Sequence, residues 1–252
     1  MEHGAVYLHV SRKIDMDEWL SPSEEYAKYD ELLEFYSDNE YSKVNESHLC
    51  DHLYISTNYR VLFENNRLDD LKYLCEPTEY HHKRVTVKFT CNIGVSREYN
   101  RHRKDSINEE STRYCNYSKD KYGNEISVIE NNHMFGDRLK DLEEDNRYHS
   151  IRTFCEWIVN NSEFNDIQYW LFANKAAEFS YIGLTQKCGW KAQDARDILP
   201  IDTKSILVHS AFIEDWKHFF DLRAIGTTGA PHPQAKELAE PLMKEFEKRN
   251  LI

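Results

Sequence analysis

RVTVKFTCNI, residues 84 to 93, changes the period of the chain. Val85, Val87, Phe89 and Cys91 alternate with Thr86, Lys88 and Thr90. A period of two marks a half-buried strand, and a single solvated face favours an antiparallel sheet. AVYLHV, residues 5 to 10, also has strand character. Between them the spacing is helical. EEYAKYDELLEFY, residues 24 to 36, sets Tyr26, Tyr29, Leu32, Leu33 and Tyr36 on one helix face. Residues 47 to 63 and 65 to 77 read as further short helices, the last stopped before Pro77.

Downstream, residues 122 to 129 could return as a strand. The rest reads as helix: 151 to 161, 164 to 189 ending at Gly189, a short turn over 194 to 200 stopped by Pro200, 215 to 223, and 232 to 249 bent by Pro241. Residues 225 to 229 form a loop. The expected fold is α+β, a central antiparallel sheet flanked by helices. Residues 1 to 252 form a single domain, with a helical N-terminal part over 1 to 75.

The chain has 252 residues, 40% of them hydrophobic and 13% aromatic, which is enough for a sizeable core and unlike a disordered chain. No apolar run approaches a membrane span, and the start MEHGAVYLHV has no secretory pattern. Six widely spaced cysteines without a CxxC pair read as reduced thiols, so a cytoplasmic protein is expected. The net charge is -12, which argues against binding nucleic acid or membrane through bulk charge.

Against that field stands RHRKDSINEESTRY, residues 101 to 114, with Ile107 its only aliphatic side chain. Over residues 97 to 113, Arg97, Arg101, Arg103, Lys104 and Arg113 concentrate cations suited to a small anionic ligand in a pocket. At a tight turn or helix start, Ser111 and Arg113 could give one phosphate a hydroxyl, N–H groups and a guanidinium. Glu109 or Glu110 could accept from a sugar hydroxyl or hold an arginine. The bland alternative is a solvated charged loop. A serine hydrolase finds no GxSxG elbow, and neither GxGxxG nor GxxxxGK[ST] is present. His81 and His82 are adjacent, so on a strand they point to opposite faces, and no metal site is expected. Arg196 and Arg223 read as helix-end arginines unless they converge with the cluster.

Arg101-His102-Arg103, followed after seven residues by Ser111, resembles the signature of the flavin-dependent thymidylate synthases. VSREYNRHR resembles its lead-in, ARDILP (195 to 200) a second segment, and HFFDLR followed by HPQ a third. The resemblance runs from about Thr78 to the last helix. It implies conversion of dUMP to dTMP with methylenetetrahydrofolate as carbon donor, NADPH as reductant and FAD as cofactor, in homotetramers whose active sites are shared between subunits. By matched position, Thr78, Arg101, His102, Arg103, Asn108, Glu109 and His218 would meet FAD. Glu98, Arg101, Glu109, Glu110, Ser111, Arg113 and Arg196 would meet dUMP, with Ser111 and Arg113 at its phosphate. Arg223 would sit against the uracil carbonyl and N3 and be the catalytic residue.

Three positions depart from the family pattern. Glu98 stands where Gln is common, and its charge would repel a phosphate unless Arg97, Arg101 or Arg113 offsets it. His81 stands where a Glu often contacts the flavin, and His218 where an Asn often does. These departures leave a second expectation, a nucleotide-binding protein without catalysis. A third is a single-strand nucleic-acid binder stacking bases on Tyr99, Tyr114 and Tyr117, and the acidic balance opposes it.

Overall fold

The computed structural model describes residues 1–12, 24–47, 51–136 and 164–252. The helix expected over 151 to 161 lies outside them. Among the described residues, six strands form two three-stranded antiparallel sheets rather than one central sheet.

The N-terminal sheet holds β1 (Ala5–Ser11), β2 (Lys43–Glu46) and β3 (His52–Asn58) in the order β1-β3-β2. Helix Glu24–Asp38 lies on it as its period demands, and Tyr29, Leu32 and Tyr36 are buried against Val6, Leu8, Leu53 and Ile55. The strand character of residues 5 to 10 is borne out by β1, and the purely helical reading of the rest of 1 to 75 is corrected. Residues 47 to 63 hold a strand and then the short helix Tyr59–Glu64, capped by Asn58, which accepts from the Val61 N–H at 3.1 Å. Most of β3 is buried on both faces, and a short run without exposed positions carries no period to tell strand from helix.

The second sheet has the order β4-β6-β5. β4 (Arg84–Asn92) keeps the predicted alternation, with Phe89 and Cys91 buried and Thr86, Lys88 and Thr90 exposed. β6 (Lys204–Phe212) pairs with it antiparallel, Val87 opposite His209. β5 (Ser106–Glu109) pairs on the other edge, Ile107 also opposite His209. The polar stretch thus contains an edge strand, and after it Ser111 opens a tight turn, its carbonyl accepting from the Tyr114 and Cys115 N–H groups at 3.0 Å. The return strand expected over 122 to 129 is reduced to one bridge, Val128 to Thr203.

Helix Ile213–Phe220 and helix Pro233–Lys248 cover this sheet with Trp216, Phe219, Phe220 and Phe246. The first widens into a π turn over Asp221–Ile225, which carries Arg223 and closes at Gly226. Helix Asp166–Ile182 opens with a capping box made by Asn165 and Gln168. It too ends in a π turn, Gly183–Lys187, just before Gly189. The two sheets meet at a polar seam. Tyr7 Oη accepts from the Arg84 N–H at 3.0 Å, and Glu214 meets both His82 and Lys43, at 2.9 and 3.0 Å.

Candidate active site

Helix Ile93–Tyr99 starts at Asn92, whose side chain accepts from the Val95 N–H, and delivers the chain to the loop before β5. The Arg101-His102-Arg103 run splits there. Arg101 and Arg103 are exposed, while His102 turns in and is 8% exposed. Its ring lies 5.1 Å from that of Phe219 and 5.9 Å from that of His218. Burial pushes its pKa down to about 4; Asp105 opposes that shift and Arg223 assists it. The imidazole is therefore neutral at neutral pH.

Arg223 comes to the same place from the π turn, a geometry that recurs at functional sites. Its Nη1 donates to Glu98 Oε2 at 2.7 Å and its Nη2 to the Glu98 carbonyl at 2.6 Å. Its Nε donates to His102 Nε2 at 3.4 Å. Arg101 lies 3.8 Å from the same carboxylate. The charge of Glu98 is thus offset by Arg223 and Arg101. A cleft of about 1030 Å³ opens beside them, lined by Arg101, Arg103, Lys104 and Arg223 against Glu98, Asp105 and Asp215. His218 and the loop from Thr228 to His232 complete it.

Glu109, Glu110, Ser111 and Arg196 line a different cleft of about 680 Å³, with Arg97 beside them. Three donors engage Glu109: Ser96 Oγ at 2.5 Å, Ser205 Oγ at 3.0 Å and Asn100 Nδ2 at 2.8 Å. Its carboxylate thus holds the helix, the loop and β6 together. Glu110 accepts from the Cys115 thiol at 3.3 Å. Ser111 and Arg196 are exposed. Arg113 points along Gln193, 3.4 Å from its Oε1, and lines neither cleft.

Two expected flavin residues also stand apart. Asn108 is exposed on β5, and Thr78 is exposed with its hydroxyl 2.9 Å from His81 Nδ1. His81 is 4% exposed, 3.1 Å from the Leu8 carbonyl and edge-on to Tyr7 and Tyr54. At this departure from the family pattern the side chain packs the seam. The structure adds two residues that sequence reasoning missed, Asp105 and His209, paired at 2.7 Å. The one available signal was a histidine inside the apolar-looking KSILVHSAF.

The sequence model of the family described as "Thymidylate synthase complementing protein" matches residues 31 to 249. The chain belongs to this family, the flavin-dependent thymidylate synthases. The match begins inside helix Glu24–Asp38, so family membership includes much of the N-terminal sheet. A curated relative, "Probable flavin-dependent thymidylate synthase" of Paramecium bursaria Chlorella virus 1, is 29% identical over 167 residues, 64% of this chain and 67% of the relative.

Two solved structures are also similar. The flavin-dependent thymidylate synthase ThyX of Helicobacter pylori, complexed with FAD and dUMP, is 17% identical with a TM-score of 0.40 over 76% of this chain and 78% of that one. The UMP/dUMP methylase PolB of Streptomyces cacaoi, bound with 5-Br UMP, is 20% identical with a TM-score of 0.45 over 75% and 76%. Among the described residues of this chain, no helix is long and apolar enough to cross a membrane.

Proposed function

We propose that the chain converts dUMP to dTMP, with FAD as cofactor, methylenetetrahydrofolate as carbon donor and NADPH as reductant. The observation that carries this is the three-point hold on Arg223 at the rim of a cationic cleft, within a chain of this family. Arg223 would face the uracil carbonyl. Glu98 and His102 fix the fork in advance, and two of its five N–H groups stay free for the substrate. A cation held there stabilises negative charge as it develops on the ring. Ser111 and Arg196 would take the phosphate, with Glu110 beside them, and Arg113 is assigned to it by matched position alone.

The larger cleft would suit FAD by its donor set, because its four cations outnumber the carboxylates of Glu98, Asp105 and Asp215 and could serve a ligand with two phosphates. Arg101, Arg103 and His218 would hold it, and neutral His102 offers a ring edge without adding charge. Thr78, Asn108 and Glu109 are assigned to FAD by matched position alone. When bound, the flavin supplies the hydride chemistry and the protein supplies orientation.

Residues assigned to one nucleotide line two clefts of one chain. A complete site would then form where the larger cleft of one copy meets the smaller cleft of another, as in the expected homotetramer with shared sites. A second reading, nucleotide binding without turnover, is favoured by the packing role of His81 and its hold on Thr78.

The test is the visible absorption spectrum of purified protein with and without dUMP, followed by assay of dTMP with both co-substrates. A flavin spectrum perturbed by dUMP, with turnover, is expected. Bound dUMP without flavin uptake would move the second reading ahead. Protein that takes up neither would sink both.

A further inference from the structure

His209 lies in the middle of β6, opposite Val87 on one side and Ile107 on the other. Its backbone is thus fixed from both edges of the sheet. The side chain has no solvent exposure, and its ring rests 4.4 Å from that of Trp216 and 5.4 Å from that of Phe219. An apolar residue would suit such a place, since a buried imidazole is unfavourable without a partner. The partner is Asp105, its side chain 4% exposed, with Oδ2 2.7 Å from His209 Nε2.

Asp105 belongs to the loop between helix Ile93–Tyr99 and β5. Its N–H donates to the His102 carbonyl at 3.1 Å, which closes the turn carrying Arg103 and Lys104. The three cations of the loop, Arg101, Arg103 and Lys104, are exposed and cannot anchor it. His102, the other inward residue, has its ring 6.2 Å from that of His209 and accepts from Arg223 Nε. A continuous line of contacts runs from the middle of the sheet to Arg223. His102, Arg103 and Asp105 also form a wall shared by the larger cleft and a third cleft of about 510 Å³ toward the N-terminal sheet.

We propose that Asp105 and His209 are positioning residues, a buried pair that pins the cationic loop and through His102 sets the guanidinium of Arg223. This rests on the reading that the larger cleft takes the nucleotide and flavin. The pair acts through the loop: His209 is fully buried and outside the cleft lining, and Asp105 borders the cleft with a side chain only 4% exposed. Its effect is to hold the binding loop in one geometry, where a displacement of about 1 Å is enough to lose up to a hundredfold in rate.

The test uses the full-length protein and two readouts, dUMP affinity by calorimetry and hydrogen exchange at the amide of residue 105. H209F keeps a ring but removes the donor. It is expected to weaken dUMP binding about tenfold or more and to speed exchange at residue 105 by at least as much. H209Q keeps an N–H near Nε2 and is expected to stay within about threefold of the unmodified protein in both.

Should H209F fail to fold, D105L/H209F carries the test, because replacing both partners by apolar groups removes the unpaired buried charge. A positioning pair predicts that this double variant regains the thermal midpoint yet still binds dUMP weakly and exchanges fast. Recovery of binding and protection along with stability would reduce the pair to core filling and overturn the proposal. Should the unmodified protein bind no dUMP, the functional reading fails, and the exchange rate alone decides on the pair. Unchanged exchange in the variants overturns it.

Discussion

Arg223 reaches the cleft with three of its N–H groups engaged, two on Glu98 and one on His102. Its role is therefore tied to the fork and not to charge alone. R223A is expected to lower dTMP turnover by about 10²–10³, with a smaller loss of dUMP affinity, as for a group aimed at charge that develops in the transition state. R223K keeps the charge but cannot hold three directions at once, and should recover little of the rate. Steady-state kinetics beside calorimetry checks both. A loss confined to KM would make Arg223 a ground-state binder.

His102 gives a pH dependence of stability. Its pKa is pushed by burial from 6.5 to about 4 in the folded protein. Between those values the unfolded chain binds the proton and the folded chain does not. Stability should therefore fall as the pH drops from about 6.5 and level off below about 4. Urea midpoints across that range, compared with those of H102N, should show a shallower slope in the variant.

At the scale of elements, the turn after helix Ile213–Phe220 decides where Arg223 points. Both the Gly226 and Thr227 N–H groups return to the Asp221 carbonyl, at 2.8 and 3.0 Å. Gly226 has φ +85, and a Cβ there would come within 2.7 Å of the Gly229 carbonyl oxygen and of Pro231 Cδ. G226A is expected to destabilise the protein by about 2 kcal/mol and to weaken ligand binding by moving the loop that lines the cleft. Gly183 is the contrast. Its φ is -60, and a Cβ added there meets nothing within 4 Å, so G183A should stabilise by about 0.5–1 kcal/mol. Urea titration of the two variants should show shifts of opposite sign.

Strand legibility belongs to this scale too. β4 shows its period because its inward positions include Phe89 and Cys91 and its outward ones Thr86, Lys88 and Thr90. β6 hides its own, because the inward face of KSILVHSAF is Ser205, Leu207, His209 and Ala211 while Ile206 and Val208 face outward. Two polar side chains on that inward face have partners, Ser205 on Glu109 and His209 through Nε2 on Asp105, while His209 Nδ1 has none among the described residues.

For the whole molecule, the residues proposed for one nucleotide fall in two clefts of one chain, which makes assembly between copies a testable part of the proposed function. R223A disables the larger cleft and R196A the smaller. If sites form between copies, an equal mixture of the two variants, co-assembled, should regain about a quarter of full activity, since one pairing in four combines two intact clefts. A mixture as inactive as its parts would place a complete site within one chain. The net charge of -12 sets the background. Loop and turn bring the local cations to one cleft, against the field of the whole chain.

Taken alone, the sequence determined the α+β class, the strand at residues 84 to 93, the helices with clean periods, and the resemblance to the family. It did not determine the split into two sheets, the separation of Glu109, Ser111 and Arg196 from Arg101, His102 and Arg223 into two clefts, or the partners of Glu98, Asp105 and His209. The tertiary structure decided these. A pattern of hydrophobicity tells which side of an element is buried, and it is written locally. A buried polar or charged group is explained only by its partner, and here the partners stand far apart in the chain, 125 positions between Glu98 and Arg223 and 104 between Asp105 and His209.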